Sequence, residues 1–230
     1  MIGIAFVFAG WLIGRVIYGY VHRFSFRLSQ EIHAAYIEIY PENPPHFAPE
    51  KSILTPMKTK ISQPYYCLFF ALLFALCYWL NENILTAICW ACFCSLLFAI
   101  SVVDGYYRLI SPALCQNLFA LGLGAAYWQI TPPTLEQSLQ SAVIFFAVFS
   151  LIYYGAKWYY KQEAFGRGDC WLALGLGAFF SYEQLPAFLL LACLSSLVYA
   201  LYGKLNKRYL TTIPFGPFLS LSGVLCRLLN

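Results

Sequence analysis

Charge is what this chain has least of. Only 10% of its 230 residues are charged, against 61% hydrophobic and 19% aromatic, and the mean hydropathy is +0.66. A soluble globular domain carries charge on about a quarter of its residues, so that class is excluded, and no room is left for a large soluble domain. The 14 Lys and Arg give a formal charge of +4, but they are dispersed and lack the clustered basic face with stacking groups that a nucleic-acid partner needs. Histidine is almost absent: His22, His33 and His46 lie in or beside one loop, spaced too irregularly to hold a metal. Aspartate is rarer still, with Asp104 and Asp169 the only two.

What is there, in quantity, is apolar sequence. Runs close to the roughly 20 residues that a membrane-crossing helix needs recur at about Ile2–Tyr20, Tyr65–Leu80, Ile84–Val103, Ala113–Ile130, Leu139–Trp158, Cys170–Phe180, Pro186–Tyr202 and Ile213–Leu229. The pattern predicts an all-α, polytopic transmembrane helical bundle of about eight spans forming one domain over residues 1–230. No basic stretch precedes the first run and no small-residue cleavage site follows it, so it reads as a retained span.

Orientation follows from the basic residues. Arg23, Arg27, Lys51, Lys58 and Lys60 fall between the first two spans, Arg108 after the third, Lys157, Lys161 and Arg167 between the fifth and sixth, and Lys204, Lys207 and Arg208 between the last two. The connections around Asn81–Asn83, Thr131–Ser138 and Ser181–Leu185 have none. The positive-inside rule then predicts the N-terminus outside and both aspartates at the cytoplasmic boundary. The first cytoplasmic loop, about residues 22–64, opens on an amphipathic stretch, Phe24 to Leu28, suited to the membrane surface. It continues through Pro41, Pro44, Pro45, Pro49 and Pro56, which favour extended backbone.

Nine cysteines lie in or beside apolar runs, where cysteine serves as a small hydrophobe. Cys89 and Cys92 form a C-x-x-C without the second pair that a structural zinc site requires. Gly10 and Gly14, Gly122 and Gly124, and Gly175 and Gly177 follow no strand, and inside apolar helices they predict close helix packing rather than nucleotide loops.

A carboxylate in a membrane segment costs about 2.5–3.5 kcal/mol at a helix centre on insertion scales, which makes an acid at a span boundary a functional candidate. Two carboxylates held close cannot both ionise easily, so one keeps its proton and the pair serves as acid and base together. Gly166 and Gly168 flank Arg167 just before Asp169; they remove side-chain bulk and permit unusual backbone angles where an extended substrate would approach. At a helix start the dipole favours the charged carboxylate.

Lys161-Gln162-Glu163-Ala164-Phe165-Gly166-Arg167-Gly168-Asp169, followed by Leu172-Ala173-Leu174-Gly175, resembles the G-x-G-D segment of the type IV prepilin peptidases. Asp104 with Leu109-Ile110-Ser111-Pro112 resembles that family's first catalytic aspartate and the turn after it. Ile213-Pro214-Phe215-Gly216-Pro217-Phe218-Leu219 is similar to its closing motif, and Ile61, Ser62 and Tyr65 to its entry into the second helix. The motifs stand in family order over about Ile61–Leu221. Three departures are visible: Ser111-Pro112 stands where the family usually has proline then aspartate, Trp171 where a lysine is common, and the first loop lacks the two C-x-x-C pairs of many members.

The resemblance implies an aspartic endopeptidase of the bacterial inner membrane, multi-pass and with its site facing the cytoplasm. Its substrates would be type IV prepilins or type II pseudopilins, which lose their leader peptide. Asp104 and Asp169 would be catalytic, Gly166 and Gly168 would shape access, and Pro214, Gly216 and Pro217 would break the last helix to support the site. Cleavage needs no cofactor. The cysteine-free loop argues against zinc and leaves S-adenosylmethionine, the methyl donor of bifunctional members, to a second reading in which the mature pilin is also N-methylated. Two further readings are an inactive relative and a small transporter, since membrane acids also mark ion pathways.

Overall fold

The computed structural model describes residues 1–42, 46–47, 54–57, 61–162, 165–206 and 213–229; Pro44, Pro45, Pro49, Lys51, Lys58, Lys60, Glu163, Ala164, Lys207 and Arg208 lie outside them. Among the described residues there are helices and no strand. The α-helices are α1 (Ile2–Ile39), α2 (Gln63–Leu80), α3 (Ile84–Tyr107), α4 (Pro112–Tyr127), α5 (Leu135–Tyr160), α6 (Arg167–Gly177), α7 (Leu185–Leu205) and α8 (Gly216–Leu229). One turn of 3₁₀ helix, Tyr182–Gln184, leads into α7. Five helical segments are long and apolar enough to cross a membrane: Ile2–Ile39, Gln63–Leu80, Ile84–Tyr107, Leu135–Tyr160 and Tyr182–Leu205. At 1.5 Å per residue, α6 is only about 16 Å long and falls well short of a hydrocarbon core of about 30 Å.

The chain divides into two compact units, Met1–Trp79 and Leu80–Asn230. In the first, α1 and α2 pack through glycine: a Cβ on Gly14 would stand 2.6 Å from the Tyr66 carbonyl oxygen, and one on Gly10 would collide with that of Phe70. Absence of side chains is what lets these backbones touch, the device small residues serve in membrane helices. α1 does not stop where the apolar run ends. It continues unbroken through Phe24–Leu28, the stretch expected in a surface loop, to Ile39, and irregular backbone begins at Tyr40. No proline or glycine interrupts residues 20–39, so the helix has no reason to end sooner.

In the second unit, α6 is the centre, packed against α4, α5 and α8, while α3 and α7 flank α8. Leu172, Ala173 and Leu176 of α6 are fully buried, as are Phe93 and Ile100 of α3 and Phe145 and Phe149 of α5. Glycine again sets the spacing: a Cβ on Gly177 would lie 2.8 Å from Ala142 Cα, one on Gly175 3.0 Å from the Cys115 carbonyl oxygen, and one on Gly122 2.7 Å from Ala178 Cβ. Gly124 makes no such approach, its added Cβ meeting only the Trp128 ring at 3.9 Å. Serines tie the helices where no water is at hand. Ser138 Oγ donates to the Ala178 carbonyl at 2.6 Å, and Ser222 Oγ to that of Phe188 at 2.6 Å; bonds of this kind between membrane helices contribute about 0.6 kcal/mol on average.

Helix ends are written locally. Asn83 caps α3 by accepting the Leu85 N–H at 3.0 Å. Thr134 and Gln137 form a reciprocal capping box at the start of α5. Pro112 opens α4 at a position where its missing N–H costs nothing, so the Ser111-Pro112 departure works as a helix start.

Candidate active site

Both aspartates are buried to the same degree, 5% exposed, and both belong to the second unit. Asp104 sits in the last turn of α3, which closes on Arg108 in the left-handed conformation, with the Arg108 N–H donating to the Asp104 carbonyl at 2.8 Å. Asp169 lies in the first turn of α6, where Gly166 is the cap and the Asp169 N–H donates to the Gly166 carbonyl at 3.2 Å. A carboxylate in that first turn meets the positive end of the helix dipole.

A third helix end completes the arrangement. The Gly216 N–H, at the start of α8, donates to Asp104 Oδ2 at 2.9 Å, across 112 residues of sequence. This bond explains why glycine stands there: a Cβ on Gly216 would come within 2.7 Å of the same oxygen. Pro217 follows inside the first helical turn, and Pro214 precedes it in irregular backbone. The three residues therefore open α8 instead of breaking it, because proline lacks only an N–H that a first turn leaves unpaired anyway. The Phe165 and Phe215 rings, 5.5 Å apart, join the segment before Asp169 to the one before Gly216.

The glycines of the G-x-G-D segment act through space and not through backbone angle. No described glycine has a positive φ, and Gly166 is in ordinary extended backbone at φ −79°. A Cβ on Gly166 would stand 3.0 Å from Asp169 Oδ2, and one on Gly168 2.7 Å from Ile110 Cβ, in the turn between α3 and α4. The expectation of special angles is thus corrected: these positions are bare because a carboxylate and an isoleucine occupy the space.

The electrostatics fit a shared proton. Asp169 precedes the apolar part of α6, and its carboxyl is pushed up to about 7. Burial is the main cause, the Asp104 charge adds to it, and a backbone hydrogen bond at Gly166 opposes both. Asp169 Oδ1 is buried without a hydrogen-bond partner. An acceptor left so is unusual, because such groups are costly to bury unsatisfied.

Two contributors, Ile110 and Tyr153, carry roles that the sequence does not assign them. Ile110 shapes Gly168, and Tyr153 of α5 holds Arg167, whose Nε donates to the phenol oxygen at 2.9 Å. Trp171 lies on the outer face of α6, 41% exposed and 5.7 Å from the Phe146 ring, away from the buried carboxylate face. Among the described residues no group of three His, Cys, Asp or Glu gathers in a form that holds a metal.

A profile of the type IV leader peptidase family matches residues 91–201, which include both aspartates and the glycines before Asp169. The chain is 37% identical over 218 residues to the prepilin leader peptidase/N-methyltransferase of Haemophilus influenzae, covering 94% of this chain and 92% of that one. It is 34% identical over 89 residues to the prepilin leader peptidase/N-methyltransferase of Escherichia coli K12, covering 38% and 40% of the two chains. Leader peptidase HopD of Salmonella typhimurium is 32% identical over 89 residues, covering 37% of this chain and 57% of that one. No solved structure matches.

Proposed function

The chain belongs to the type IV leader peptidase family, and from that premise we propose that Asp104 and Asp169 are the catalytic pair with which it removes the leader peptide from prepilins or pseudopilins. The observation that carries the assignment is the meeting of three helix ends: the Asp104 turn of α3, the Asp169 turn of α6, and the Gly216 N–H of α8 on Asp104 Oδ2.

In this reading the pair holds one proton between its carboxyls at neutral pH. The ionised member takes a proton from a water as that water attacks the scissile carbonyl, and the protonated member donates to the carbonyl oxygen. Collapse of the tetrahedral intermediate returns a proton to the leaving amine and breaks the C–N bond, leaving a carboxyl on the leader and a free amine on the mature subunit. Because the titration belongs to the pair, acid and base are not assigned to one aspartate each. Gly166 and Arg167 are exposed while Asp169, two and three residues on, is buried. An extended substrate strand therefore reaches the carboxylate across a position that has no side chain. Pro214, Gly216 and Pro217 fix the start of α8, and through it the Asp104 carboxylate.

The membrane setting supports a site at the cytoplasmic face of a bacterial inner membrane. Arg108, Lys157, Lys161, Arg167 and Lys204 all fall at the helix ends that adjoin the aspartates, as the positive-inside rule requires of a cytoplasmic end. About eight helical passes with the N-terminus outside, α6 being too short to cross a full hydrocarbon core by itself, and the two units serving one peptidase domain, complete the proposal. A transporter would hold its acids near the bilayer midplane; Asp104 is instead three residues from the end of a 24-residue helix.

The names of two relatives add methyl transfer to cleavage, and in a second reading this chain takes S-adenosylmethionine as co-substrate. A cavity of about 450 Å³ in the first unit is lined by Ile4, Val7, Phe8, Trp11, Pro64, Leu68 and Ala71, and offers no charged group to its amino-acid end.

Cleavage is tested by expressing Asp104→Asn and Asp169→Asn in cells without the native peptidase, together with a prepilin, and reading pilin N-termini by mass spectrometry. Both variants are expected to leave the precursor intact, and processing by either one refutes the pair. Labelled S-adenosylmethionine, incubated with the protein and cleaved pilin, decides methylation separately: label on the new N-terminus establishes a bifunctional enzyme, and no label leaves a peptidase.

A further inference from the structure

The second unit contains a cavity of about 530 Å³ that the cleavage chemistry does not use. Its lining includes Thr86 and Trp90 near the start of α3, Phe179 just after α6, and Arg227 at the end of α8. These helices carry an aspartate or Gly216 at their other ends. Fourteen residues separate Trp90 from Asp104, so the cavity lies about 20 Å from the catalytic pair along α3.

Its chemistry is not that of a lipid-facing groove. Arg227 places its guanidinium 4.5 Å from the centre of the Trp90 ring and reaches Asn81 Oδ1 at 3.5 Å. Every other described Lys or Arg of this unit lies at the aspartate end, so this cation stands against the trend that topology imposes. Ser141, fully buried on α5, lines the same cavity with its Oγ unpartnered. Thr131, 5% exposed in the adjoining loop, has an equally unpartnered Oγ1. Buried hydroxyls are rarely left so. Glu183, on the 3₁₀ turn, lines the same cavity and brings one negative charge to it. Around this end Tyr127, Trp128 and Tyr182 are exposed, the residue types that sit at the level of lipid headgroups.

We propose that this cavity binds the headgroup of a zwitterionic phospholipid from the leaflet remote from the aspartates, with the phosphate on Arg227 and the Ser141 hydroxyl and the ammonium on Glu183. One cation, one anion and uncommitted hydroxyls match a headgroup carrying both charges; a purely anionic headgroup would leave Glu183 facing like charge. The site is separate from the catalytic pair and does not depend on the peptidase reading.

The test is native mass spectrometry of the full chain in detergent with equal amounts of phosphatidylethanolamine and phosphatidylglycerol. Inorganic phosphate serves as a soluble competitor. Phosphatidylethanolamine is expected to be retained in preference, and Arg227→Gln to weaken its retention by roughly tenfold or more, the effect of losing a hydrogen bond to a charged group. Glu183→Gln, at an exposed position, is expected to erase the preference between the two lipids, and it carries the test alone if the arginine variant does not fold. Equal retention of the two lipids by the wild type overturns the proposal, as does unchanged retention in Glu183→Gln. Displacement of the lipid by inorganic phosphate at the same concentration also overturns it, since the cavity would then be a simple anion site. Prepilin cleavage by both variants should stay near the wild-type rate, showing that the fold is retained.

Discussion

Replacing Gly216 by alanine isolates what the start of α8 does for the proposed catalytic pair. The added Cβ would stand 2.7 Å from Asp104 Oδ2 and 3.1 Å from its Cγ, so either the carboxylate or the helix start must move. The carboxylate is the softer of the two, because Pro217 and the Phe165–Phe215 contact fix the helix start. Moving it gives up the 2.9 Å bond from the Gly216 N–H. A hydrogen bond to a charged group is worth about 1.5–3 kcal/mol. If that loss falls on the transition state, cleavage slows by roughly ten- to 150-fold. The assay is a time course of prepilin cleavage by purified protein in detergent, with a thermal melt to show that folding survives. Gly105→Ala is the control: it lies beside Asp104 in the same helix, its added Cβ meets nothing within 4 Å, and alanine is the better helix former. A Gly216→Ala enzyme within about threefold of the wild type, alongside an unaffected control, would refute the claim that this N–H positions the carboxylate.

The crowding at Gly168 makes a reciprocal prediction. Gly168→Ala drives its Cβ to 2.7 Å from Ile110 Cβ and is expected to lower both stability and cleavage, while adding Ile110→Ala should restore much of each; failure of the double variant to recover would show that space is not the reason for the glycine. The raised Asp169 carboxyl predicts a pH signature. The folded chain keeps a proton up to about pH 7 that an unfolded carboxyl sheds near 3.8, so this group's contribution is complete at low pH and falls away between those values. Asp169→Asn should therefore be more stable than the wild type at pH 8, by at most about 4 kcal/mol, and close to it at pH 4; a constant difference across that range would contradict it. Cleavage by the wild type should decline above about pH 7 as the pair loses its shared proton, and a rate still rising there would oppose the dyad. Arg167→Gln removes the 2.9 Å bond to Tyr153 and should cost about as much thermal stability as Tyr153→Phe, the double variant adding little. Additive losses would mean that the two side chains act separately.

Much of the fold was legible because the bilayer is a simple solvent. Apolar length forces helix where no water can satisfy the backbone, and each of the eight apolar segments falls largely within one α-helix. Helix ends were less legible. The chain after Tyr20 looks like loop by composition, yet nothing in it halts α1 before Ile39, since loss of hydrophobicity does not by itself break backbone hydrogen bonds. The candidate site was readable where chemistry is scarce, from two aspartates and a G-x-G-D, which the structure places at the ends of α3 and α6. Its supports were not: the spacing between Gly216 and Asp104 has no periodicity, and Ile110 and Tyr153 are ordinary residues for a membrane helix or its turn. The role given to the glycines followed from their permissiveness in φ, whereas the structure uses their lack of volume, a distinction that only the neighbours can reveal.

The scarcity of acid follows from the same geometry. Each aspartate is buried at the end of a helix, where, among the described residues, the compensation is backbone: the Gly216 N–H for Asp104 and the first turn of α6 for Asp169. Among the described residues neither group is neutralised by a cation in its hydrogen bonds, as the proposed sharing of a proton between the carboxyls requires. Arg167 is the basic residue best placed to disturb this, one residue removed from Gly168, and it is turned onto the Tyr153 ring and hydroxyl. Holding that guanidinium on a neutral phenol keeps it off Asp169, whose carboxyl would otherwise be drawn down and stripped of the proton that cleavage requires. If so, Tyr153→Phe should lower the pH above which cleavage declines, with the maximal rate less affected. A purely structural tyrosine would reduce the rate alike at every pH, and that result would remove this role for the contact.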